Sequence, residues 1–377
     1  MNRRQFISTG AAALGYSSLT AGVAGEMFGQ AASAQSGPTL KALGAPCGMK
    51  VGVASTKNGF HYSPPAFTDW VKANCNVLTM ASGLQWNIVH PQPDVYNFDD
   101  ADWMYDFGKQ NGMVLRGHSL CWNEANAPWV AQTVNQDNAE SVLVSHINKV
   151  AGRFAGKLDA WNVVNEPIST WKGQPGGFAP GIWLGWLGPR YIDIAFHAAA
   201  AADPHSQKVL NVHHVEAARE EDSRQATLRL LEGMLKRNVP VQELGIESHL
   251  DCAIPIDQEL LATFLQQVRS MGLAISITEL DVNDAKVDGD NATRDKAVAN
   301  LYRQYLDVVL PVADVHRMIF WSPTDKSWLD GLCRAPQWKR NDGSCEHRPG
   351  LLDLSMRQKP AFDAVVGGLQ AHCKGKA

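Results

Sequence analysis

The stretch QELLATFLQQVRSMGLAISITE, residues 258–279, carries the organisation of the whole chain in one unit. An amphipathic pattern over Gln258–Met271 reads as a helix. Gly272 sits where that helix ends, because glycine accepts the left-handed turn that closes a last turn. Ala274–Glu279 then reads as a short, mostly apolar strand that stops on a carboxylate. Strand candidates of this kind recur at Val51–Ser55, Val77–Ala81, Met113–His118, Ala160–Asn165, Lys208–Val212, Gly245–Ser248 and Met318–Ser322. Helical patterns lie between them at Phe67–Asn74, Ala101–Asn111, Ala139–Phe154, Tyr191–Ala202, Ser223–Arg237 and Arg294–Val309, with an eighth at Pro360–Leu369.

Short apolar strands are expected where a parallel sheet is buried on both faces. Eight of them alternating with eight helices predict an α/β fold, a single (β/α)8 TIM barrel. A doubly wound open sheet is the alternative. It usually carries a glycine-rich phosphate loop after its first strand, and here the run leads into Thr56-Lys57-Asn58-Gly59 instead. Without repeats, a linker or a second composition regime, residues 35–377 read as one catalytic domain. The 377 residues are 45% hydrophobic and 19% charged, which excludes disordered, collagen-like and coiled-coil classes. A net charge of −4 gives no support to a nucleic-acid or anionic-membrane partner. Twelve tryptophans are many; they serve either the core or a cleft that stacks the flat apolar faces of sugar rings.

The first 34 residues read as an address. Asn2-Arg3-Arg4-Gln5-Phe6-Ile7-Ser8 precedes an uncharged stretch from Phe6 to Gly25, and Ala32-Ser33-Ala34 offers a small-x-small cleavage pattern. The arginine pair resembles the twin-arginine class of export signal. The stretch is poor in Leu, Ile and Val, so it is unsuited to anchoring. Residues 1–34 are therefore expected to be removed, leaving a periplasmic or secreted protein with no membrane contact after cleavage. Seven cysteines form no C-x-x-C pair. Cys333 and Cys345 are the best local disulfide pair, Cys121 is expected to be buried, and the odd total leaves at least one thiol unmatched within the chain.

In a (β/α)8 barrel the chemistry sits at the C-terminal ends of the strands. Here these ends are polar: Arg116-Gly117-His118, Asn165-Glu166, Glu247-Ser248-His249, Thr278-Glu279 with Asp281 following, and Trp321 followed by Asp325 and Trp328. Glu166 and Glu279 end the fourth and seventh strands, where opposite walls can aim two carboxylates at one bond. A retaining glycosidase needs such a pair about 5–5.5 Å apart and an inverting one about 6.5–9.5 Å apart. Adjacent His213 and His214 suggest a metal at first sight, but on an extended strand they would face opposite ways. No metal site and no cofactor is expected, since two carboxylates suffice for this chemistry.

Trp161-Asn162-Val163-Val164-Asn165-Glu166-Pro167 resembles the acid/base motif of glycoside hydrolase family 10, the endo-1,4-β-xylanase family. Ile277-Thr278-Glu279-Leu280-Asp281-Val282 resembles its nucleophile motif. Gly117-His118-Ser119-Leu120-Cys121-Trp122, Phe320-Trp321-Ser322-Pro323-Thr324-Asp325-Lys326-Ser327-Trp328 and Lys359-Pro360-Ala361 resemble its strand-three, strand-eight and closing segments. The resemblance implies Glu166 as acid/base, Glu279 as nucleophile, Asn165 on the sugar 2-hydroxyl and His249 holding the nucleophile. It implies His118 against the sugar, and Trp122, Trp321 and Trp328 as apolar walls. The implied partner is a xylan-type polysaccharide or oligosaccharide acted on by a monomer.

Departures from the pattern are concentrated near these motifs. The usual Glu-Asn-x-x-Lys after strand two is replaced by Ala81, Ser82 and Gln85, with Gln85 left as the binding candidate there. The usual His and Gln after the strand-three Trp are Asn123 and Ala125, the Gln before the strand-six His is Glu247, and strand five ends in Asn211-Val212-His213. Two alternatives to a xylanase follow: a relative acting on another β-glycan or plant glycoside, and a non-catalytic sugar-binding barrel.

Overall fold

Eight parallel strands close into a barrel in this computed structural model, which describes residues 37–374 apart from 314, 327, 328, 330–332, 334, 336 and 337. The expected leader, 1–34, and Trp328 lie outside the described residues. The strands are β1 (Lys50–Ser55), β2 (Val77–Met80), β3 (Val114–Trp122), β4 (Ala160–Asn165), β5 (Gln207–Val212), β6 (Glu243–Ile246), β7 (Ala274–Asn283) and β8 (Arg317–Phe320). Each pairs with its neighbour in order, and β8 returns to β1 in the register Val51↔Met318, so the sheet has no free edge. This is the (β/α)8 TIM barrel expected from the alternation.

The helices fall where the patterns placed them: Pro65–Asn74, Asp99–Gln110, Ala139–Arg153, Arg190–Ala202, Glu221–Lys236, Gln258–Ser270, Asn291–Ala313 and Pro360–Cys373. Several begin earlier than the apolar pattern because their first turns are acidic, as with Asp99 and Glu221, where carboxylates favour the positive end of the helix dipole. Strand residues such as Leu78, Leu210, Leu244 and Ile277 are fully buried between barrel interior and helix ring. Truncating one of these leucines to alanine should cost about 2–5 kcal/mol.

β3 and β7 outrun their predicted ends, to Trp122 and Asn283, and the added residues 119–121 and 280–283 are buried. β6 stops sooner, and Ser248, at φ 64, turns the chain into a short strand, His249–Asp251, that pairs with the extension of β7. Gly245 makes room for the site: a Cβ there would lie 2.3 Å from Asn211 Oδ1. Below, Arg317 joins Glu243 at 2.6 Å and Asp159 at 2.9 Å, plugging the opposite end with paired charge.

Cys333–Cys345 is bridged, as expected, and Cys121 is buried. A second bridge, Cys47–Cys373, ties the segment before β1 to the last helix. Cys75, Cys121 and Cys252 remain thiols.

Candidate active site

The ends of β3 to β8 converge on one polar cluster. Asn211, from β5, is its hub. Its Nδ2 faces Asn165 Oδ1 at 2.8 Å, Glu279 Oε1 at 2.8 Å and Glu247 Oε1 at 3.1 Å. Its Oδ1 accepts from the Thr278 hydroxyl at 2.7 Å, which fixes the amide's orientation. Asn162, on β4, donates to Asn165 Oδ1 at 2.7 Å and faces His118 Nδ1 at 2.9 Å. With both amide hydrogens used in this way, His118 presents a lone pair at Nδ1.

Glu166 follows β4 directly. Its backbone is in the left-handed region at φ 50, and its N–H donates to the Asn211 carbonyl at 2.9 Å. Such a conformation costs a non-glycine residue about 1–3 kcal/mol and recurs at functional positions. Asn165 Nδ2 donates to Glu166 Oε1 at 3.0 Å, and His213 Nδ1 lies 3.5 Å from Oε2. Burial, with Glu124 and Glu279 adding to it, pushes the Glu166 carboxyl up to about 8. That group holds a proton at neutral pH.

Glu279 behaves oppositely. Burial pushes its pKa upward, but His118, His249 and Arg116 outweigh that and hold it below the usual glutamate value. His118 is itself pushed down to about 4 by burial, so at neutral pH the counter-charge comes from His249 and Arg116. His249 Nε2 lies 3.4 Å from Glu279 Oε2, and its Nδ1 is 2.7 Å from Asp281 Oδ1. Burial works against the imidazolium, yet Asp281 and Glu279 together raise it well above the ordinary histidine value. Two carboxyl groups in one site are thus driven apart, one proton-bearing and one ionised. This pairing marks an acid and a nucleophile or base.

The aromatic residues divide between core and cleft. Trp86, Trp161 and Trp183 are fully buried. Trp321 sits at the mouth, its ring 5.2 Å from His118 and 6.4 Å from His249 in edge-on contact. Trp122 lies 6.3 Å from His118 and, with Asn123, Glu124, Glu166 and His213, lines a narrow recess. A cleft of about 1020 Å³, counted with its open mouth, continues past His249 and Asp281 to Asp251, Glu216 and His214. Gln85 stands apart: its amide donates to the Ala81 carbonyl at 3.3 Å, at the start of a short helix.

Of the predicted site residues, Glu166, Glu279, Asn165, His249, His118, Trp122 and Trp321 come together. Asn162, Asn211, Thr278 and Asp281 complete the network without having been singled out as site residues. His213 corrects an expectation. β5 ends at Val212 and His214 is left-handed at φ 55, so the two histidines do not alternate across a strand. His213 points at Glu166, and its ring lies 4.5 Å from that of His214. Donor atoms of Glu247, His249 and Glu279 come within 4.8 Å of one another, as do those of Glu166, His213 and Glu247. Asn211 engages Glu247 and Glu279, and Asp281 engages His249.

Comparisons with known proteins agree with this geometry. Residues 39–367 match glycosyl hydrolase family 10. Endo-1,4-beta-xylanase B of Thermotoga neapolitana is 28% identical over 297 residues, covering 78% of this chain and 83% of that one. Beta-1,4-xylanase of Dictyoglomus thermophilum is 29% identical over 323 residues, covering 82% and 85%. Among solved structures, native xylanase 10B from Thermotoga maritima superposes with a TM-score of 0.80 at 26% identity, covering 89% of this chain and 99% of that one. Xylanase 10B from Thermotoga petrophila RKU-1 in complex with xylobiose gives 0.80 at 25% identity, covering 93% and 100%.

Proposed function

The chain belongs to glycosyl hydrolase family 10, and from that membership we propose that it is an exported, retaining endo-1,4-β-xylanase with Glu279 as nucleophile and Glu166 as acid/base. The observation that carries this reading is the divergence of the two carboxyl groups in one cluster: Glu279 held ionised with His249 at 3.4 Å, Glu166 held protonated by burial and by the nearby Glu124 and Glu279. A sugar-binding barrel has no use for that opposition.

Xylan would lie across the mouth with its sugar faces against Trp321 and Trp122. Glu279 attacks the anomeric carbon while Glu166 gives its proton to the departing glycosidic oxygen. The anomeric centre inverts and a glycosyl ester forms on Glu279. The ester removes one negative charge from the cluster, and Glu166, now a carboxylate, takes a proton from water. That water attacks the anomeric carbon and displaces the Glu279 carboxylate, and the second inversion returns the β-configuration. Asn165, whose amide already meets Glu166, is placed to bond the sugar 2-hydroxyl, and His118 is placed to meet the sugar that reacts. The leader sequence supports action in the periplasm or outside the cell. The test is a product-resolved digestion of xylan, xylo-oligosaccharides, mixed β-glucan and aryl β-glycosides by the mature protein. Internal cleavage of xylan, abolished by Glu279→Ala, is expected; turnover of β-glucan in preference to xylan would overturn the substrate assignment.

A further inference from the structure

Glu247 has no step in that reaction, yet it is buried between the two carboxylates that do, and one of its oxygens comes within 4.8 Å of each. Every element packed against it can be counted for charge. From β4 comes Glu166, and from the end of β5 come Asn211 and His213, with Glu216 further along. From β7 comes Glu279, from the short strand after β6 comes His249, and Arg116 lies on β3. The cations are His249 and Arg116. His249 already serves Asp281 at 2.7 Å and Glu279 at 3.4 Å. Arg116 feels Glu279 and Glu243 more strongly than Glu247, and it donates to Asn211 Oδ1 at 3.4 Å. His213 is kept neutral, well below the usual histidine value, chiefly by burial and then by His214 and His249.

The hydrogen bonds point the same way. Asn211 Nδ2 has two hydrogens for three oxygens, and the Glu247 contact, at 3.1 Å, is the longest. An ionised Glu247 would be a further buried anion that shares both its cation, His249 at 4.0 Å, and its donor, Asn211, with the nearer Glu279, a combination that costs several kcal/mol. A neutral carboxyl removes that cost and gains an O–H to donate. Two nitrogens face its Oε2: His213 Nδ1, at 3.8 Å, which also lies 3.5 Å from Glu166 Oε2, and His249 Nε2, at 4.0 Å, which belongs to a ring nearer to Glu279 and Asp281.

We infer that Glu247 works as an uncharged carboxylic acid: a positioning residue that turns its O–H toward His213 and adds no further negative charge between Glu166 and Glu279, leaving the proton of Glu166 free for the leaving group. This rests on the acid/base role proposed for Glu166. Its consequence is an alkaline limit set by two groups, because loss of either proton disarms the site. The first proton then leaves from the pair rather than from Glu166 alone.

Two measurements test it on the mature full-length protein. In the first, the glutamate side-chain carboxyls are labelled with carbon-13, and the Glu247 signal is assigned by its loss in Glu247→Gln, or in Glu247→Asp if that variant does not fold. The signal should stay at its protonated position through neutral pH; a signal that titrates in the ordinary glutamate range overturns the inference. The second is the pH profile of kcat/KM on an aryl β-xyloside. With Glu247→Gln only Glu166 can be lost, so the ratio of activity at about pH 9 to that at about pH 6 should rise about twofold or more. An alkaline limb displaced to lower pH would mean that a charge on Glu247 had been holding the Glu166 proton, and would overturn the inference too. If the native enzyme ignores xylosides altogether, the xylanase reading fails, while the carbon-13 titration still decides the state of Glu247.

Discussion

Replacing Asp281 by Asn removes one charge from the site while keeping its shape, and the consequence can be worked through. Asp281 is buried, its Oδ1 is 2.7 Å from His249 Nδ1, and its Oδ2 accepts from the Ser322 hydroxyl at 3.0 Å. Asparagine can keep one acceptor at each hydrogen bond's position only in part, but it removes the anion. Opposite charges about 4 Å apart attract by about 4 kcal/mol at an effective dielectric constant of about 20. Allowing for the neutral hydrogen bond that survives, the loss is about 2–3 kcal/mol, or roughly 1.5–2 pKa units. His249 stands raised well above the usual histidine value, so it is cationic below its native pKa and that charge is lost as the pH climbs through it. In Asp281→Asn the loss moves down toward neutrality. Glu279 then faces burial without its nearest cation, and its own pKa rises. The acid limb of kcat/KM on an aryl β-xyloside should move up by about one unit, with the largest loss of activity on the acid side of neutrality. Nitrogen-15 spectra of the histidine rings, read in parallel, should find that His249 loses its charge at lower pH in the variant than in the native protein. An unmoved acid limb with His249 still cationic would refute the chain of reasoning.

Three further outcomes follow from other parts of the molecule. Changing Arg3-Arg4 to Lys-Lys should trap the protein in the cytoplasm, and the N-terminus of the exported native protein should lie beyond residue 34; unchanged export would remove the twin-arginine reading. Cys373→Ser opens the bridge to Cys47, which spans 326 residues of chain, and should cost about 2–5 kcal/mol in denaturant unfolding; a loss below measurement error would mean that the bridge adds nothing. Ala81→Glu, Ser82→Asn and Gln85→Lys together restore a polar grip beside β2. Each charge-assisted contact is worth about 1.5–3 kcal/mol, so kcat/KM on xylotriose should rise about 10-fold or more, and no gain would show that this edge of the cleft does not limit the reaction.

The barrel was legible in the sequence because its strands are short apolar runs buried on both faces, and that burial leaves a pattern. Glu166 and Glu279 were legible for a related reason, as charges appended to such runs. Asn162 and Asn211 carried no comparable signal. They lie within strands and point inward, where one amide among apolar neighbours reads the same whether it fills space or orients a carboxylate. His213 was misjudged because alternation assumes an extended chain, and a single left-handed residue, His214, cancels it. The Cys47–Cys373 bridge was invisible for a topological reason: its ends meet only because the eighth strand returns to the first and brings the last helix beside a short helix, Leu40–Gly44, that precedes β1.

The assignment of Glu166 and Glu279 to two different steps is tested most directly by adding azide to Glu166→Ala with an aryl β-xyloside whose phenol is acidic. Such a leaving group needs little proton donation, so the glycosyl ester on Glu279 forms and then stalls for want of a general base. Azide needs no base and should attack that ester. The predicted product is β-xylosyl azide, retained through two inversions and identified by the coupling of its anomeric proton. Formation of α-xylosyl azide, or no azide adduct while the phenol burst persists, would contradict the account.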